Sequence, residues 1–580
     1  MTRRERAVQT VSDLLTARGG KPSPGGAHDW QVDLQAGEHA FPVLVRLPER
    51  FPFVRPVIFA GPTVALAEKQ YLQIPHTNFD GTLCVVPNET TVDPDAAAAV
   101  MAETLASAAE LLGAWKDGKI NSDFHDEAGA FWPDRKLLRI VNIDLPAGLP
   151  ASDTYWFQHG NNFYVSADEA PLRDVGNMFL SEKALKIDRG VFLPLSGLVL
   201  PTDYPSDITT LRNLIVGRNG DYKRLADRMG QPGNFPLVLR FEARVGAEST
   251  EPIYVSMMLW PQPAERPPAR HYTVKSPLSG FRPGRAPAQM QQALLLNRGL
   301  ARVSTQRFDR EWIHFRGGAG RSHELFQKHV TIIGCGSLGS EIAMQLIREG
   351  IKRIRLVDGE FLSWDNIGRH QLPAMMVGAG KATALAAMIK RTVPGVEVEG
   401  IGSSWEDALA NDSGLFRPTN LVINATGDWG SSVALNLELF GRVPVMYTWT
   451  EPLGAAGHAL LVTGLGGCLG CGFDRTGVFS RRVFDWPKST LLKIPGCGGA
   501  FQPYGLAETA VISSMASRTT LDFLANVTQR SELRTWINGP AAGPAAILQP
   551  AWKDRVAALP SQIGEIRIPW VHEEACGICS

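Results

Sequence analysis

The sequence lacks three features that would mark a nucleic-acid-binding, secreted or membrane protein. Its 58 Lys and Arg residues balance 58 Asp and Glu residues, so no net charge draws the chain to nucleic acid or an anionic membrane. Only 7 of its 580 residues are cysteine, too few for a disulfide framework. We find neither a signal-peptide core nor an apolar run of about 18 residues. We therefore expect a cytoplasmic protein without nucleic-acid or membrane partners.

The length predicts about three to five folding units. Residues 1–133 combine a helical pattern of apolar residues with alternating strand-like runs, which is typical of a small α+β domain. Residues 134–300 are strand-like and punctuated by proline, and predict a β-rich connecting domain. From 301 to 580, apolar strand-like segments alternate with segments of helix-like or loop-like pattern, as in a parallel doubly wound sheet. The expected fold class is multidomain α/β and α+β.

A glycine-rich turn opens the C-terminal region. "HVTIIGCGSLGSEIA" places Gly334, Gly336 and Gly339 directly after a strand and before a helix, and Asp358 ends the next strand. Such glycines let a backbone approach phosphate, the helix N-terminus favours an anion, and the acidic residue can bind ribose. By itself this pattern is as typical of a NAD- or FAD-binding fold as of an ATP site.

Four further polar residues favour a triphosphate. Asn366, Arg369, Lys381 and Asp428 follow successive elements, at the sheet edge where open α/β folds bind ligands. A dinucleotide oxidoreductase has no evident use for this set. A triphosphate does, because cations clamp phosphates and a carboxylate can hold Mg²⁺.

This pattern, from about 310 to 475, resembles the adenylation domain shared by ubiquitin-activating enzymes and the bacterial ThiF and MoeB sulfur-carrier adenylyltransferases. The resemblance implies a Rossmann-like fold that uses ATP and Mg²⁺. By that resemblance, the ribose is bound by Asp358, the phosphates by Arg369 and Lys381 and the magnesium by Asp428, while Asn366 positions the nucleotide.

Three residues near this pattern keep open roles. His370 follows Arg369 where the family often has Gln. The family also uses an arginine upstream of the glycine turn, sometimes supplied by the partner subunit of a dimer. Arg316 and Arg321 are the candidates here, and a solvated surface charge is the alternative for each.

Two C-x-x-C pairs predict a metal site. They are "GGCLGCGF" and "EEACGICS", which contribute Cys468, Cys471, Cys576 and Cys579. Four thiolates suit tetrahedral Zn²⁺ and leave no open position, so the zinc would be structural. It would tie the C-terminus to the adenylation domain, as similar pairs do in several ThiF-like proteins. Redox-active or packed cysteines are the alternative.

Cys497 lies between glycines in "LKIPGCGGAFQPYGLAETA", just before a long helix. This irregular setting favours an accessible thiol. The segment resembles the catalytic-cysteine loop of activating enzymes that form a thioester, a step that simple sulfur-carrier adenylyltransferases need not perform. The resemblance makes Cys497 a nucleophile, and a turn cysteine is the alternative.

A second candidate nucleophile lies in "PHTNFDGTLCVVP". The proline-rich strand before it, His76 to Asn78, and Cys84 resemble ubiquitin-conjugating enzymes, in which a His-Pro-Asn turn precedes the catalytic cysteine. By that resemblance Cys84 carries the thioester, Asn78 stabilises the oxyanion and His76 is mainly structural. Thr77 replaces the usual proline, and the Asn-to-Cys spacing is about two residues shorter than in eukaryotic enzymes. A packed turn cysteine is the alternative.

Together, the two regions resemble the fused activating and conjugating enzyme of bacterial CBASS antiphage operons. That resemblance implies ATP-dependent activation of a protein C-terminus, passage from Cys497 to Cys84, and conjugation to an amine of a target protein or small molecule. The implied substrate is a cGAS-like nucleotidyltransferase, with a bacterial ubiquitin-like protein as the alternative. A homodimer is expected. A sulfur-carrier adenylyltransferase and a nucleotide-binding scaffold are the rival hypotheses.

Overall fold

A computed structural model describes most of the chain, in two compact units. One unit comprises Met1–Leu172 and Lys183–Arg307, the other Arg173–Glu182 and Phe308–Ser580. The described residues are 1–71, 73–85, 92–124, 127–134, 139–180, 183–197, 199–245, 249–261, 298–315, 322–474, 476–487, 492–493, 500–501, 503–539, 546–574 and 576–579.

The N-terminal part of the first unit is an antiparallel sheet covered by helices. The strands, in the order β1-β2-β3-β4, are Lys21–Pro22, Asp29–Ala36, His39–Arg46 and Val57–Phe59. The helices are Arg3–Ala17, Val64–Gln70, Ala97–Lys116 and Ala128–Phe131, with a 3-10 turn at Asn121–Phe124.

The alanine-rich helix Ala97–Lys116 is long and apolar enough to cross a membrane by length and composition alone. One such helix is weak evidence, because the core helix of a folded domain passes the same test. Here Met101, Leu105, Ala108 and Leu112 pack into the core of this domain. The helix therefore contributes its apolar face to a protein core.

A closed barrel follows in the same unit, with the strand order β10-β11-β5-β7-β6-β8-β9. Its strands are β5 Ile140–Asp144, β6 Ser152–His159, β7 Asn162–Ser166, β8 Asp188–Pro194, β9 Phe235–Val245, β10 Ser249–Pro261 and β11 Arg298–Arg307. Its accompanying helices are Ile208–Gly217 and Tyr222–Met229. The helix Glu169–Phe179 begins in this unit and belongs to the second unit from Arg173 onward. The strand-like segments of the sequence thus form a closed barrel.

The N-terminal domain runs directly into this barrel. Phe131 and Trp132 belong to the barrel's apolar cluster, and Trp132 Nε1 donates to the carbonyl of Ser256 at 2.8 Å. The amide of Arg302 in β11 donates to Asp134 Oδ2 at 2.9 Å, and the amide of Asp134 donates to the Arg302 carbonyl at 3.0 Å. The aromatic end of the N-terminal domain is therefore anchored in the barrel.

The second unit is built on an eight-stranded sheet in the order β14-β13-β12-β15-β16-β17-β21-β23. The parallel strands are β12 His329–Ile333, β13 Arg353–Val357, β14 Glu397–Ile401, β15 Leu421–Asn424 and β16 Val445–Thr450. The antiparallel extension is β17 Ala456–Val462, β21 Glu532–Asn538 and β23 Ile563–Pro569.

Helices pack on this sheet and short elements complete the unit. The helices are Arg310–Phe315, Ser322–Leu325, Ser337–Arg348, Lys381–Thr392, Trp405–Asn411, Trp429–Leu439, Leu506–Leu524 and Lys553–Ala557. The short strands are β18 Phe484–Asp485, β19 Leu492–Lys493, β20 Ala500–Phe501 and β22 Ile547–Leu548. Strand, helix and strand alternate as expected of a doubly wound sheet.

Candidate active sites

The segment around Cys84 is a tight hairpin. The amide of Cys84 donates to the carbonyl of His76 at 2.7 Å, and the amide of Asn78 donates to the carbonyl of Thr82 at 2.8 Å. Thr77 and Leu83 form the bridge between these bonds and are buried. Because side chains alternate across a strand, Asn78 and Cys84 face the opposite, exposed side. They lie diagonally across the hairpin, a relation that places Cβ atoms up to roughly 7–8 Å apart.

His76 is clamped between two carboxylates. Its backbone amide donates to Glu127 Oε2 at 2.8 Å, its Nδ1 lies 3.0 Å from Glu127 Oε1, and its Nε2 lies 3.1 Å from Asp123 Oδ2. Both ring nitrogens are therefore engaged. His76 is the first residue of the hairpin and has a φ of 58°, in the left-handed region. Its contacts with the two carboxylates therefore hold the hairpin in place.

The clamp shifts the pKa of His76 upward. Partial burial lowers it, but the hydrogen bond to Asp123 and the charges of Glu127 and Asp123 outweigh that effect. The protonated imidazolium can donate from both nitrogens to the two acceptors. The carboxylates therefore favour the charged ring.

In the second unit the glycine turn is shaped by close packing. Gly334 has a φ of 85°, and a Cβ there would lie 2.8 Å from the backbone of Ala425. A Cβ on Gly339 would lie 1.8 Å from the carbonyl oxygen of Gly334. Gly336 has open space around it. Two glycines thus permit the strand-to-helix turn, and the third leaves room for a ligand.

Asp358 braces this turn. Its two oxygens accept from the amides of Cys335, at 2.6 Å, and Glu360, at 2.7 Å. His370 supports the turn from another side, since its Nδ1 accepts from the amide of Leu372 at 3.0 Å, which leaves Nε2 to donate to the Cys335 carbonyl at 2.7 Å. Burial lowers the pKa of His370, in keeping with a neutral ring. The role that the sequence left open for His370 is thus to hold the loop.

The predicted cations are oriented by partners. Lys381 begins its helix, is only 6% exposed, and its Nζ lies 2.5 Å from Glu360 Oε2. Arg369 donates to the carbonyl of Asp365 at 2.8 Å, and its guanidinium lies 5.2 Å from the ring centre of Tyr504. Both positive groups are thereby held in place. Sequence reasoning had not assigned Glu360 or Tyr504 to the site.

Asn366 and Asp428 each take part in capping a helical turn, Asn366 as the capping-box partner of Ser363 in the 3-10 turn Trp364–Arg369 and Asp428 as an N-cap. Asn366 Oδ1 accepts from the amide and hydroxyl of Ser363 at 3.2 and 3.0 Å. Asp428 is the N-cap of Trp429–Leu439, and its Oδ1 accepts from the amide of Ser431 at 2.8 Å. Asp428 is exposed, so its carboxylate is open to solvent.

These residues surround one cleft at the carboxyl ends of the parallel strands. Its volume is about 850 Å³. Four of the predicted residues line it: Gly336, Asn366, Arg369 and Lys381. Asp428 is flanked by two lining residues, Gly427 and Trp429, and Asp358 holds the loop that forms one wall. The structure thus brings four of the eight predicted nucleotide residues to the lining of one cavity and places Asp358 and Asp428 next to lining residues.

Comparison with family models agrees with both regions. Residues 25–141 match prokaryotic E2 family B, and residues 309–538 match the ThiF family. The chain thus carries one region similar to prokaryotic E2 family B and one similar to the ThiF family, which we call the E2 domain and the ThiF domain.

Curated relatives share parts of this arrangement. An "ATP-dependent ubiquitin transferase-like protein Cap2" of Pseudomonas aeruginosa is 26% identical over 285 residues, which cover 48% of this chain and 47% of the relative. A protein of the same name from Enterobacter hormaechei is 34% identical over 130 residues, covering 22% of this chain and 21% of the relative. The matched stretch thus spans about half of the first relative and about a fifth of the second.

Among solved structures, a crystal structure of Escherichia coli MccB with MccA-N7isoASN aligns at a TM-score of 0.33. The sequences are 14% identical, and the alignment covers 45% of this chain and 68% of MccB.

Four cysteines cluster at the edge of the ThiF domain. The sulfur atoms of Cys468, Cys471, Cys576 and Cys579 all lie within 4.8 Å of one another. The pair Cys468 and Cys576 is 3.6 Å apart, and the pair Cys471 and Cys579 is 3.3 Å apart. Thiolates at a Zn–S distance of about 2.3 Å in a tetrahedron would be roughly 3.8 Å apart. The cluster therefore fits a Zn²⁺ ion.

Three predicted residues fall outside the described part of the chain. These are Cys497, Arg316 and Arg321.

Sequence reasoning missed the acidic partners of the E2 hairpin. Asp123 and Glu127 lie 47 and 51 residues after His76. Their spacing of four residues was a signal that they could share a face, but only the fold brings His76 to that face.

Proposed function

We propose that the chain activates the C-terminal carboxylate of a protein with ATP, carries it as a thioester on Cys497 and then Cys84, and conjugates it to an amine. The observation that carries this proposal is the presence, on one chain, of a ThiF cleft lined by Arg369 and Lys381 and an E2 hairpin that exposes Cys84. A sulfur-carrier adenylyltransferase has no need of the second feature.

The first step is an adenylation in the ThiF cleft. A carboxylate oxygen attacks the α-phosphorus of ATP, the bond to the β-phosphate oxygen breaks, and pyrophosphate leaves. Arg369 and Lys381 are the positive groups for the phosphates, and Asp358 is the acidic group nearest the glycine loop. The product is an acyl adenylate, a mixed anhydride with AMP as its leaving group.

Two thiols then carry the acyl group. The sulfur of Cys497 attacks the acyl carbon and AMP departs, leaving a thioester. Cys84 attacks this thioester, the thiol of Cys497 leaves, and an amine finally attacks the Cys84 thioester to give an amide and a free thiol. The placement of both cysteines on one chain raises their effective concentration for this transfer.

Asn78 is suited to the last step. Its side chain lies on the same exposed side of the hairpin as Cys84, and its Nδ2 donates to Thr82 Oγ1 at 2.9 Å, which fixes its orientation. The second amide hydrogen can donate to an oxyanion that develops at the thioester carbon. Asn78 therefore is our candidate for the oxyanion donor.

Two metals fit this scheme. The exposed carboxylate of Asp428, at the edge of the cleft, would hold a Mg²⁺ ion that neutralises phosphate charge. The four clustered thiols would hold a Zn²⁺ ion that is purely structural, because no ligand position remains open.

For the substrate, we propose the C-terminus of a cGAS-like nucleotidyltransferase in antiphage defence, in line with the resemblance of the fused domains. A bacterial ubiquitin-like protein is the alternative. The acceptor is an amine of a target protein or a small molecule. We further propose that the ThiF domains pair in a homodimer, which light scattering on the purified chain would detect as a doubled mass.

The test is intact-protein mass spectrometry. The full chain is mixed with Mg-ATP and the candidate nucleotidyltransferase, with and without thiol reductant. We expect an ATP-dependent adduct that reductant removes. Cys497→Ala should abolish the adduct, and Cys84→Ala should confine it to Cys497. Cys84→Ser is a matched control, because a hydroxyl acceptor gives an ester that reductant does not cleave.

The outcomes separate the rival hypotheses. An adduct only with a ubiquitin-like protein would favour the alternative substrate. Pyrophosphate release with unchanged conjugation in both cysteine variants would contradict the relay and leave adenylation. A chain that binds ATP but forms neither adenylate nor adduct would be a scaffold.

A further inference from the structure

The barrel of the first unit has a charged pocket that the proposed function does not use. Its volume is about 570 Å³, within the range of roughly 300–1,000 Å³ that is common for small-molecule sites. Residues of the helix Tyr222–Met229 line it, together with Asp153 of β6 and Arg189 of β8. We call this cavity the barrel pocket.

Positive groups outnumber negative groups in the lining of the barrel pocket. The cations are Arg189, Lys223, Arg224 and Arg228. The carboxylates are Asp153, Asp221 and Asp227. Asp153 lies 2.9 Å from Arg224 Nη1 and 3.7 Å from Arg189 Nη1, and Asp221 lies 3.5 Å from Arg224 Nε. Two of the carboxylates are therefore engaged by arginines, and the pocket as a whole keeps an excess of positive charge.

Arg228 contributes a buried charge to this excess. It is 8% exposed. Its Nε donates to the carbonyl of Arg189 at 3.0 Å and its Nη1 to the carbonyl of Pro232 at 3.4 Å, while Nη2 donates to no acceptor in the described part of the chain. Burial lowers the pKa of Arg228, and the more distant charges of Asp188 and Asp153 only partly offset that effect. Since carbonyl groups carry only partial charges, no bonded partner neutralises this guanidinium.

A second buried arginine increases the uncompensated charge. Arg298 of β11 is 7% exposed, and the guanidinium groups of Arg228 and Arg298 lie 4.5 and 5.5 Å from the ring centre of Phe235. The side-chain nitrogens of Arg298 donate to backbone carbonyls, those of Met229, Gln231 and Gly233. Burial lowers the pKa of Arg298, and the charge of Arg228 lowers it further. Buried charges in proteins are usually paired, so these two guanidiniums favour an anion beside them.

We propose that the barrel pocket binds a phosphate group, held by Arg228 Nη2 together with Lys223 and Arg224. A phosphate dianion supplies the full negative charge that the two buried guanidiniums lack, and guanidinium and ammonium groups are its usual ligands. Gln231 also lines the pocket and can donate its amide hydrogens to a phosphate oxygen. The site is independent of the adenylation and thioester chemistry proposed above.

The test is titration calorimetry of the full chain with inorganic phosphate at low ionic strength, where electrostatic binding is least screened. Lys381→Ala is the background for all measurements, because it weakens phosphate binding in the ThiF cleft. We expect this chain to keep a saturable phosphate site. Adding Arg228→Lys, which retains the charge but loses the planar fork, should weaken phosphate binding about tenfold or more, as expected for the loss of a hydrogen bond to a charged group.

Two further variants separate binding from folding. Lys223 is exposed, so Lys223→Ala should leave the melting temperature unchanged and still weaken phosphate binding severalfold, by the loss of a partly screened charge. Arg212→Ala is the matched control, because Arg212 is an exposed arginine on the helix Ile208–Gly217 and lies outside the pocket lining. It should leave the phosphate affinity unchanged.

A phosphoserine peptide and its unphosphorylated counterpart identify the source of the phosphate. Equal affinities for inorganic phosphate and the phosphopeptide would support a free phosphate or a small phosphate compound, and much tighter binding of the phosphopeptide would support a phosphorylated protein. Absence of phosphate binding in the Lys381→Ala chain would overturn the proposal. So would a phosphate affinity that neither Arg228→Lys nor Lys223→Ala changes, because the anion would then be held elsewhere.

Discussion

At the scale of single residues, both candidate sites are organised by carboxylates that hold cations. Glu127 and Asp123 engage both nitrogens of His76, and Glu360 engages the buried ammonium of Lys381. In each case the acidic residue is the one that motif reasoning did not assign. The positive group is held in the orientation the site requires before any ligand arrives, which lowers the cost of binding.

The first prediction concerns pH and His76. Its pKa is raised on folding, so its contribution to stability is full below the unfolded pKa of about 6.5 and is lost as pH rises through the higher folded value. We expect His76→Gln to lower the melting temperature of the full chain at pH 6 and to have much less effect at pH 9. Scanning fluorimetry across this range measures the difference.

A variant at another histidine of the same domain, His28→Gln, serves as the control and should show no such trend. Glu127→Gln should reproduce the His76→Gln profile, because it removes one of the two negative partners. A loss of stability that is equal at pH 6 and pH 9 would contradict an ionic clamp.

The second prediction separates Lys381 from its partner. Lys381→Ala should weaken ATP binding at least about tenfold, since a hydrogen bond to a charged phosphate contributes roughly 1.5–3 kcal/mol. Glu360→Gln should leave ATP affinity unchanged or increase it, because the carboxylate competes with phosphate for the same ammonium. Titration calorimetry distinguishes the two; equal losses in both variants would indicate that the pair acts only in folding.

At the scale of elements, the E2 hairpin is fitted to the neighbouring helix by a glycine. Gly81 has a φ of 84°, and a Cβ there would lie 2.4 Å from the Cβ of Ala67 in Val64–Gln70. The amide of Ala60 also donates to the Gly81 carbonyl at 2.8 Å. The turn therefore combines a left-handed backbone conformation with close contact to the helix. The position of Cys84, three residues further along the hairpin, depends on both.

The third prediction follows from that contact. Gly81→Ala should displace the hairpin and reduce acyl transfer to Cys84. Gly37→Ala is a matched control, since Gly37 has a φ of 62° but open space around its Cβ position. Gly37→Ala should lower the free energy of unfolding by only about 1–2 kcal/mol, the cost of a left-handed backbone for a residue with a Cβ. It should leave acyl transfer to Cys84 unchanged. Melting temperature and the Cys84 adduct together report both effects, and similar transfer in the two variants would refute the steric argument.

At the scale of the whole chain, the end of the sequence is tied back to the ThiF sheet. Trp570 Nε1 donates to the carbonyl of Cys468 at 2.9 Å, and the four clustered thiols join the turn after β17 to the residues after β23. Two segments more than 100 residues apart thus share one small core. A metal there would close a long loop, which is where a cross-link constrains the unfolded chain most.

The fourth prediction is metal dependence. The purified chain should contain about one zinc ion, and a strong chelator or Cys576→Ser should remove it and lower the melting temperature, because metal binding contributes directly to folding. Elemental analysis and scanning fluorimetry measure these changes. Cys84→Ser should retain the metal, since Cys84 lies in a separate unit; a metal-free chain of full stability would contradict the assignment.

Much of the candidate ATP site could be read from the sequence. The spacing of Gly334, Gly336 and Gly339 predicts a strand-turn-helix. Parallel strands bring their carboxyl ends to one edge of the sheet, which explains why Asn366, Arg369 and Lys381 share a cleft. The paired C-x-x-C spacing likewise predicted the thiol cluster. These features depend on local spacing and a regular topology, and both are visible in one dimension.

What only the tertiary structure decided are contacts between distant segments. Three contacts of this kind depend on packing that no local pattern encodes. They are the pairing of His76 with Asp123 and Glu127, the closure of seven strands into a barrel, and the ring contacts among Trp429, Trp449 and Phe479. An acidic or aromatic residue has the same sequence signature whether it faces solvent or a partner 50 residues away. The sequence by itself determined which chemical groups the two domains contain, because those groups lie in short motifs. The fold determined which of them meet, because meeting requires the backbone to close in three dimensions.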